Sequence, residues 1–195
     1  MVWVGRIPIL ALANLCTFGI FVMVAARLTS IFVRESGLNL TTSLYVSAAV
    51  LGAGAMGRFA GGAVLGRIPD RPLVMLALAL SGAALAGLAL SPAFPVAPVL
   101  AFAALACCSL RYGSIFAMAL GRRPPAEAGV AVSAVSFLAG LGGSILPAVM
   151  GWFVDRTGSF GPGFGMLSLL SYAAILLLAA FPPGGIEGRD GGDRS

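Results

Sequence analysis

Histidine and lysine are absent from this 195-residue sequence, and charged residues of any kind make up only 10% of it. Without histidine there is no histidine-based catalytic triad, no imidazole ligand for a metal or haem, and no imidazole proton relay. Cysteine is scarce as well. Cys16, Cys107 and Cys108 lack a metal-ligand spacing and read as small buried hydrophobes, so neither a metal nor a cofactor is expected. The carboxylates Glu35, Asp70, Glu127, Asp155, Glu187, Asp190 and Asp193 all fall in loops, at helix ends or in the C-terminal tail. With no acid inside an apolar run and no nucleophile–base pair, the sequence does not read as an enzyme.

What the chain has instead is apolar surface. It is 59% hydrophobic, with a mean hydropathy of +1.01. Soluble domains carry about 25% charged residues, so this composition implies a membrane protein. A spanning helix needs about 20 apolar residues. Six runs qualify, at about 7–33, 44–66, 72–91, 96–120, 127–151 and 163–182, making an all-α domain over 1–182. The first run is too long for a signal-peptide core and reads as a mature helix. The breaks are rich in proline, glycine and charge: RESGLNLTTS, whose Thr-Thr-Ser is placed to cap the second helix, then GRIPDRP, SPAFP, GRRPPAE and DRTGSFGPG. Asn39, in a glycosylation sequon, reads as loop polarity. Residues 183–195 read as a flexible cytoplasmic tail, in part foreign, because Ile186–Arg189 matches a protease site used in expression vectors.

All twelve basic residues are arginine. An even number of spans puts both termini on one side, together with Arg6, Arg67, Arg71, Arg122, Arg123, Arg189 and Arg194; the opposite side holds Arg34 and Arg156. The positive-inside rule then places both termini in the cytoplasm, and the bias survives removal of the tail. The basic balance is a matter of membrane orientation and implies no nucleic-acid partner.

Three arginines belong to no loop. Arg27 lies near the end of the first run and reads as snorkelling to the surface. Arg58 and Arg111 lie deeper. Counting 1.5 Å per residue from the arginine-rich end, Asn14 stands about 12 Å in, Arg58 about 14 Å, and Thr17 and Arg111 about 16 Å. Ser133 and Ser136 fall at roughly 9 and 14 Å. Tyr112 and Ser114 add polarity beside Arg111. The first, second, fourth and fifth helices thus share a polar layer near the midplane, with the third and sixth supporting them. An arginine at the centre of a span costs about 2.5–3.5 kcal/mol on insertion scales and usually faces an aqueous pathway. Snorkelling is the other reading of Arg58, and satisfaction by neighbouring carbonyls the other reading of Arg111. The glycines need less explanation: Ala53-x3-Gly57-x3-Gly61, and Gly140, Gly142 and Gly143, are small-residue stripes that let helices pack closely.

Two motifs carry a family resemblance. Gly62 to Arg71, GAVLGRIPDR, resembles the loop between the second and third helices of each half of the major facilitator superfamily, G-x3-D-R-x-G-R-R. Gly62, Arg67 and Arg71 match; Gly66, Pro69 and Asp70 depart from it. Gly151-x3-Asp155-Arg156-x-Gly158 is a second echo, within SILPAVMGWFVDRTGS, and these residues are expected to serve gating. Within the superfamily the chain is most similar to the nitrate/nitrite porters. Those carry a substrate-binding arginine on the second helix of each half, where Arg58 stands, and a glycine-rich G-N-x-G-G-A signature on the fifth. Ala139–Ser144 resembles that signature, with Gly140 in place of the asparagine.

Members have twelve helices in two six-helix halves, so the resemblance implies that this chain is a half-transporter. It would pair as a parallel twofold homodimer with a central arginine-lined site and alternating access. The substrate implied is a small inorganic anion, nitrate- or nitrite-like, bound by Arg58, Arg111, Asn14, Thr17, Tyr112, Ser114, Ser133 and Ser136. The setting implied is a bacterial inner membrane, with lipid as the other partner. Lacking an intramembrane acid or histidine, exchange or uniport fits better than proton symport. The alternatives are a channel-like path for a halide or other anion, and the structural half of a split transporter that needs a different partner chain.

Overall fold

The computed structural model describes residues 6–121 and 125–180; the expectations for Arg122, Arg123 and the tail 183–195 lie outside them. Among the described residues every regular element is helical: α1 (Arg6–Arg34), α2 (Leu40–Val64), α3 (Asp70–Ala89), α4 (Val96–Leu110), α5 (Tyr112–Leu120), α6 (Pro125–Thr157) and α7 (Gly161–Ala180). They make six segments long and apolar enough to cross a membrane, because α4 and α5 form one span.

Local chemistry sets the boundaries. α2 starts at Leu40, ahead of the expected 44, because its cap is Asn39 and not the Thr-Thr-Ser run. The Asn39 Oδ1 accepts from the Thr42 N–H at 2.8 Å, satisfying one of the free amides of the first turn. α6 begins on Pro125, whose missing N–H is tolerated in the first turn, and runs six residues beyond the expected 151. It stops where Gly158 takes φ +74° and its N–H bonds the Val154 carbonyl at 2.8 Å. Asp155 and Arg156, read as loop residues, therefore lie in the last turn of α6.

Side chains tie the two ends of the bundle. At one end a carboxylate oxygen of Glu35 accepts from the Ser159 hydroxyl at 3.0 Å and the Phe160 N–H at 2.9 Å, joining α1 to the start of α7. At the other, Arg71 in the first turn of α3 donates to the Leu178 and Ala179 carbonyls at 3.1 and 3.2 Å, at the last described turn of α7.

Between the ends, glycines set how closely helices approach. A Cβ on Gly57 would meet the Ala106 carbonyl oxygen at 2.7 Å, and one on Gly61 would collide with the Leu110 carbonyl, so α2 lies directly on the α4 backbone. Gly142 fits against the Leu15 carbonyl and Gly19 against Gly142, which brings α1 and α6 together in the same way. Gly143 faces Phe18 and Val22 at ordinary contact distance, whereas Gly140, expected in the same packing stripe, faces open space. α3 packs on α7, where the Ser168 hydroxyl donates to the Gly82 carbonyl at 2.9 Å. Ile20, Met23, Leu28, Leu85, Met150 and Phe164 fill one end of the core, and Leu10, Val74, Leu78, Ile115 and Leu178 the other.

Candidate functional site

The fourth span is interrupted at Arg111, whose φ −83° and ψ −6° separate α4 from α5. No proline or glycine stands at Arg111 itself; Gly113 follows in the first turn of α5. The break lies where α2 presses Gly61 onto the Leu110 carbonyl. The interruption leaves Arg111 wholly buried and brings Tyr112 round towards α1 and α2. The Arg111 Nε donates to the Cys108 carbonyl and Nη2 to the Cys108 Sγ, each at 3.4 Å, while Nη1 has no partner.

Arg58 approaches from α2. Its guanidinium carbon lies 5.1 Å from the centre of the Phe21 ring and 4.9 Å from that of Tyr112. Both distances fall within the roughly 6 Å range of cation–π attraction. Counting along α1 from Arg6, Phe21 is roughly 22 Å from the arginine-rich end, deeper than Arg58 itself. Arg58 itself is exposed, with its guanidinium drawn towards these two rings. Tyr112 in turn packs on Phe116 at 4.9 Å and Phe18 at 6.5 Å, so the platform under the arginine is itself braced.

α1 supplies the opposite wall. Asn14 donates through Nδ2 to the Val135 carbonyl at 3.3 Å, and Thr17 donates to Asn14. Asn14, Thr17, Arg58, Arg111 and Tyr112 all line one cleft of about 10 Å³, together with Phe18, Phe21, Cys108, Ser109 and Ile115. That is room for about one water-sized particle. The other expected ligands stand elsewhere. Ser114 is buried with no partner for its hydroxyl and does not line the cleft. Ser133 and Ser136 are exposed on α6. Phe18 and Phe21 are members that a search for polar residues misses, and Ser109 on α4 is a polar one not singled out in the sequence. The signal for the two phenylalanines is helical spacing, since positions 14, 17, 18 and 21 lie on one face of α1.

The motif residues are spread over both ends. Gly62 and Arg67 are exposed, one Asp70 carboxylate oxygen is buried without a partner among the described residues, and Arg71 holds α7 as described. Asp155 lines a larger hollow of about 510 Å³ with Arg27 and Arg34, at the far end from the α2–α3 loop, while Arg156 stacks on Trp152 at 5.4 Å. This hollow is the roomier of the two, but the expected mid-span ligands meet in the smaller cleft.

No family model matches the sequence. The nitrite extrusion protein of Bacillus subtilis (strain 168) is 29% identical over 172 residues, covering 87% of this chain and 42% of that protein. Among solved structures, the E. coli fucose:proton symporter FucP superposes with a TM-score of 0.79 at 18% identity, covering 89% of this chain and 42% of the symporter. A major facilitator superfamily structure of FucP in the outward conformation gives 0.79 at 17% identity, with 91% and 44% covered. The chain has the major facilitator fold. It spans less than half the length of each of these relatives. With this fold and six helices long and apolar enough to cross a membrane, the chain is a multi-pass membrane protein.

Proposed function

We propose that the chain is a six-helix unit of a membrane carrier for small inorganic anions, nitrite or nitrate foremost, with Arg58 as the ligand that takes the ion. The observation that carries this reading is the exposed Arg58 guanidinium in contact with both the Phe21 and the Tyr112 ring. Aromatic contact occupies the faces of a guanidinium and leaves its in-plane N–H fork for a planar anion. The relative named for nitrite extrusion supports the same substrate class.

A second copy in parallel orientation completes the cavity, with two Arg58 side chains facing across the twofold axis. Two such cations about 7 Å apart repel by roughly 2.4 kcal/mol at an effective dielectric of 20. An anion between them removes that repulsion and accepts charge-assisted hydrogen bonds from both. Occupancy then favours closure, and the two units rock about the fixed site in alternating access, as exchanger or uniporter. The positive-inside bias puts the end bearing Arg67 and Arg71 in the cytoplasm of a bacterial inner membrane.

The test is reconstitution of the purified protein alone in liposomes, with nitrite, nitrate and halide fluxes compared. Saturable flux selective for nitrite or nitrate supports the carrier. Unsaturable, conductive halide flux would replace it with a channel-like path. Absence of flux until a different six-helix chain is added would replace the homodimer with a split transporter.

A further inference from the structure

Among the described residues, Arg111 is a charge without a counter-charge. A guanidinium stays protonated in proteins, so its burial is not relieved by losing a proton. An uncompensated buried charge is strongly destabilising. Among the described residues, the ionisable side chains near Arg111 are the thiols of Cys16, Cys107 and Cys108, with no carboxylate beside them. Its Nη1 is buried and unpartnered, and so is the Ser109 hydroxyl; both residues line the small cleft, with the Arg58 guanidinium on its open side. The Thr17 hydroxyl is already committed to Asn14. Two cations and a free hydroxyl therefore surround a space of about 10 Å³, enough for one water-sized particle.

We infer that this cleft binds one monovalent anion of halide size within a single protomer, between Arg111 and Arg58, with the Ser109 hydroxyl as a third donor. The inference rests on the anion-handling reading above, but its site needs no twofold axis, because both cations come from one chain. The cleft opens on the Arg58 side, so a halide, somewhat larger than a water, seats there with a small shift of that exposed side chain and neutralises Arg111, whereas a water molecule fills the space and leaves the charge. The bound halide is a resident counter-ion that fixes the break between α4 and α5 and holds Tyr112 beneath Arg58.

The experiment is thermal unfolding of the purified full chain in detergent, titrated with sodium chloride, bromide, nitrite or nitrate against gluconate at constant ionic strength. Chloride and bromide should raise the midpoint saturably in the wild type. Ser109→Ala should shift half-saturation to roughly tenfold higher halide, and Arg111→Gln should abolish the response, with monodisperse elution showing that each variant is folded. Ser109→Ala removes only a hydroxyl, so it decides the matter should Arg111→Gln fail to fold. A halide-insensitive wild type would show that water occupies the cleft and would overturn the inference, as would an unchanged response in Ser109→Ala. Stabilisation by nitrite or nitrate but not by halide would overturn the assignment of the cleft to a halide. Halide stabilisation without flux in liposomes would leave this site standing and remove the carrier, and flux without stabilisation would do the reverse.

Discussion

The guanidinium carbon of Arg58 lies 4.9 Å from the centre of the Tyr112 ring, and Tyr112 is the residue immediately after the break at Arg111. The two arginines are thereby linked through one aromatic side chain. What positions Arg111 also positions the platform on which Arg58 rests.

That link gives a graded expectation for Tyr112. Tyr112→Phe keeps the ring and should leave the apparent KM for nitrite within about twofold of wild type. Tyr112→Leu removes the cation–π contact, worth about 0.5–2 kcal/mol, and should raise KM about two- to thirtyfold. Initial rates of nitrite uptake into liposomes over a concentration series separate the two variants.

Helix approach through glycine predicts a contrast along α2 and α6. Gly61→Ala and Gly142→Ala each drive a methyl into a backbone carbonyl, of Leu110 and Leu15 respectively, and backbone gives way reluctantly. Each should destabilise the protein by about 1–3 kcal/mol. Gly62→Ala and Gly140→Ala meet open space and should unfold at or slightly above the wild-type temperature, because alanine is the better helix former. Thermal unfolding of the four variants in one detergent checks the contrast.

The six spans are legible in the sequence because apolar length alone decides them. The loop chemistry is legible in part: glycine at 158 ends α6, but Asn39 caps α2 where a sequon suggests only loop polarity. The break at Arg111 carries no such signal, since no glycine or proline stands at it. The candidate site divides for a geometric reason. Counting 1.5 Å per residue gives height in the membrane but not direction around the helix. Asn14, Thr17, Arg58, Arg111 and Tyr112 share both height and direction and meet in one cleft. Ser133 and Ser136 share the height but are exposed on α6.

The two end clamps should differ in strength. Glu35→Ala removes an ionised acceptor from Ser159 and Phe160 and should cost about 1.5–3 kcal/mol. Arg71→Ala removes donors at the α7 carbonyls and should cost only about 0.3–1 kcal/mol. Amide hydrogen exchange should show the first variant losing protection at the start of α7 and the second at residues 176–180.

Asn39→Ala should cost about 0.5–2 kcal/mol through loss of the helix cap, with faster exchange confined to the first turn of α2. Anion flux should be unchanged, because that turn lies remote from Arg58.

The central claim is that Arg58 takes the anion, and the most direct measurement compares wild type with Arg58→Ala for nitrite flux, each reconstituted alone in liposomes at matched protein density. The account predicts saturable flux in the wild type that falls to the level of protein-free liposomes in the variant, with both proteins eluting as folded species. Undiminished flux in Arg58→Ala would contradict it and place the anion path away from the cleft between Phe21 and Tyr112.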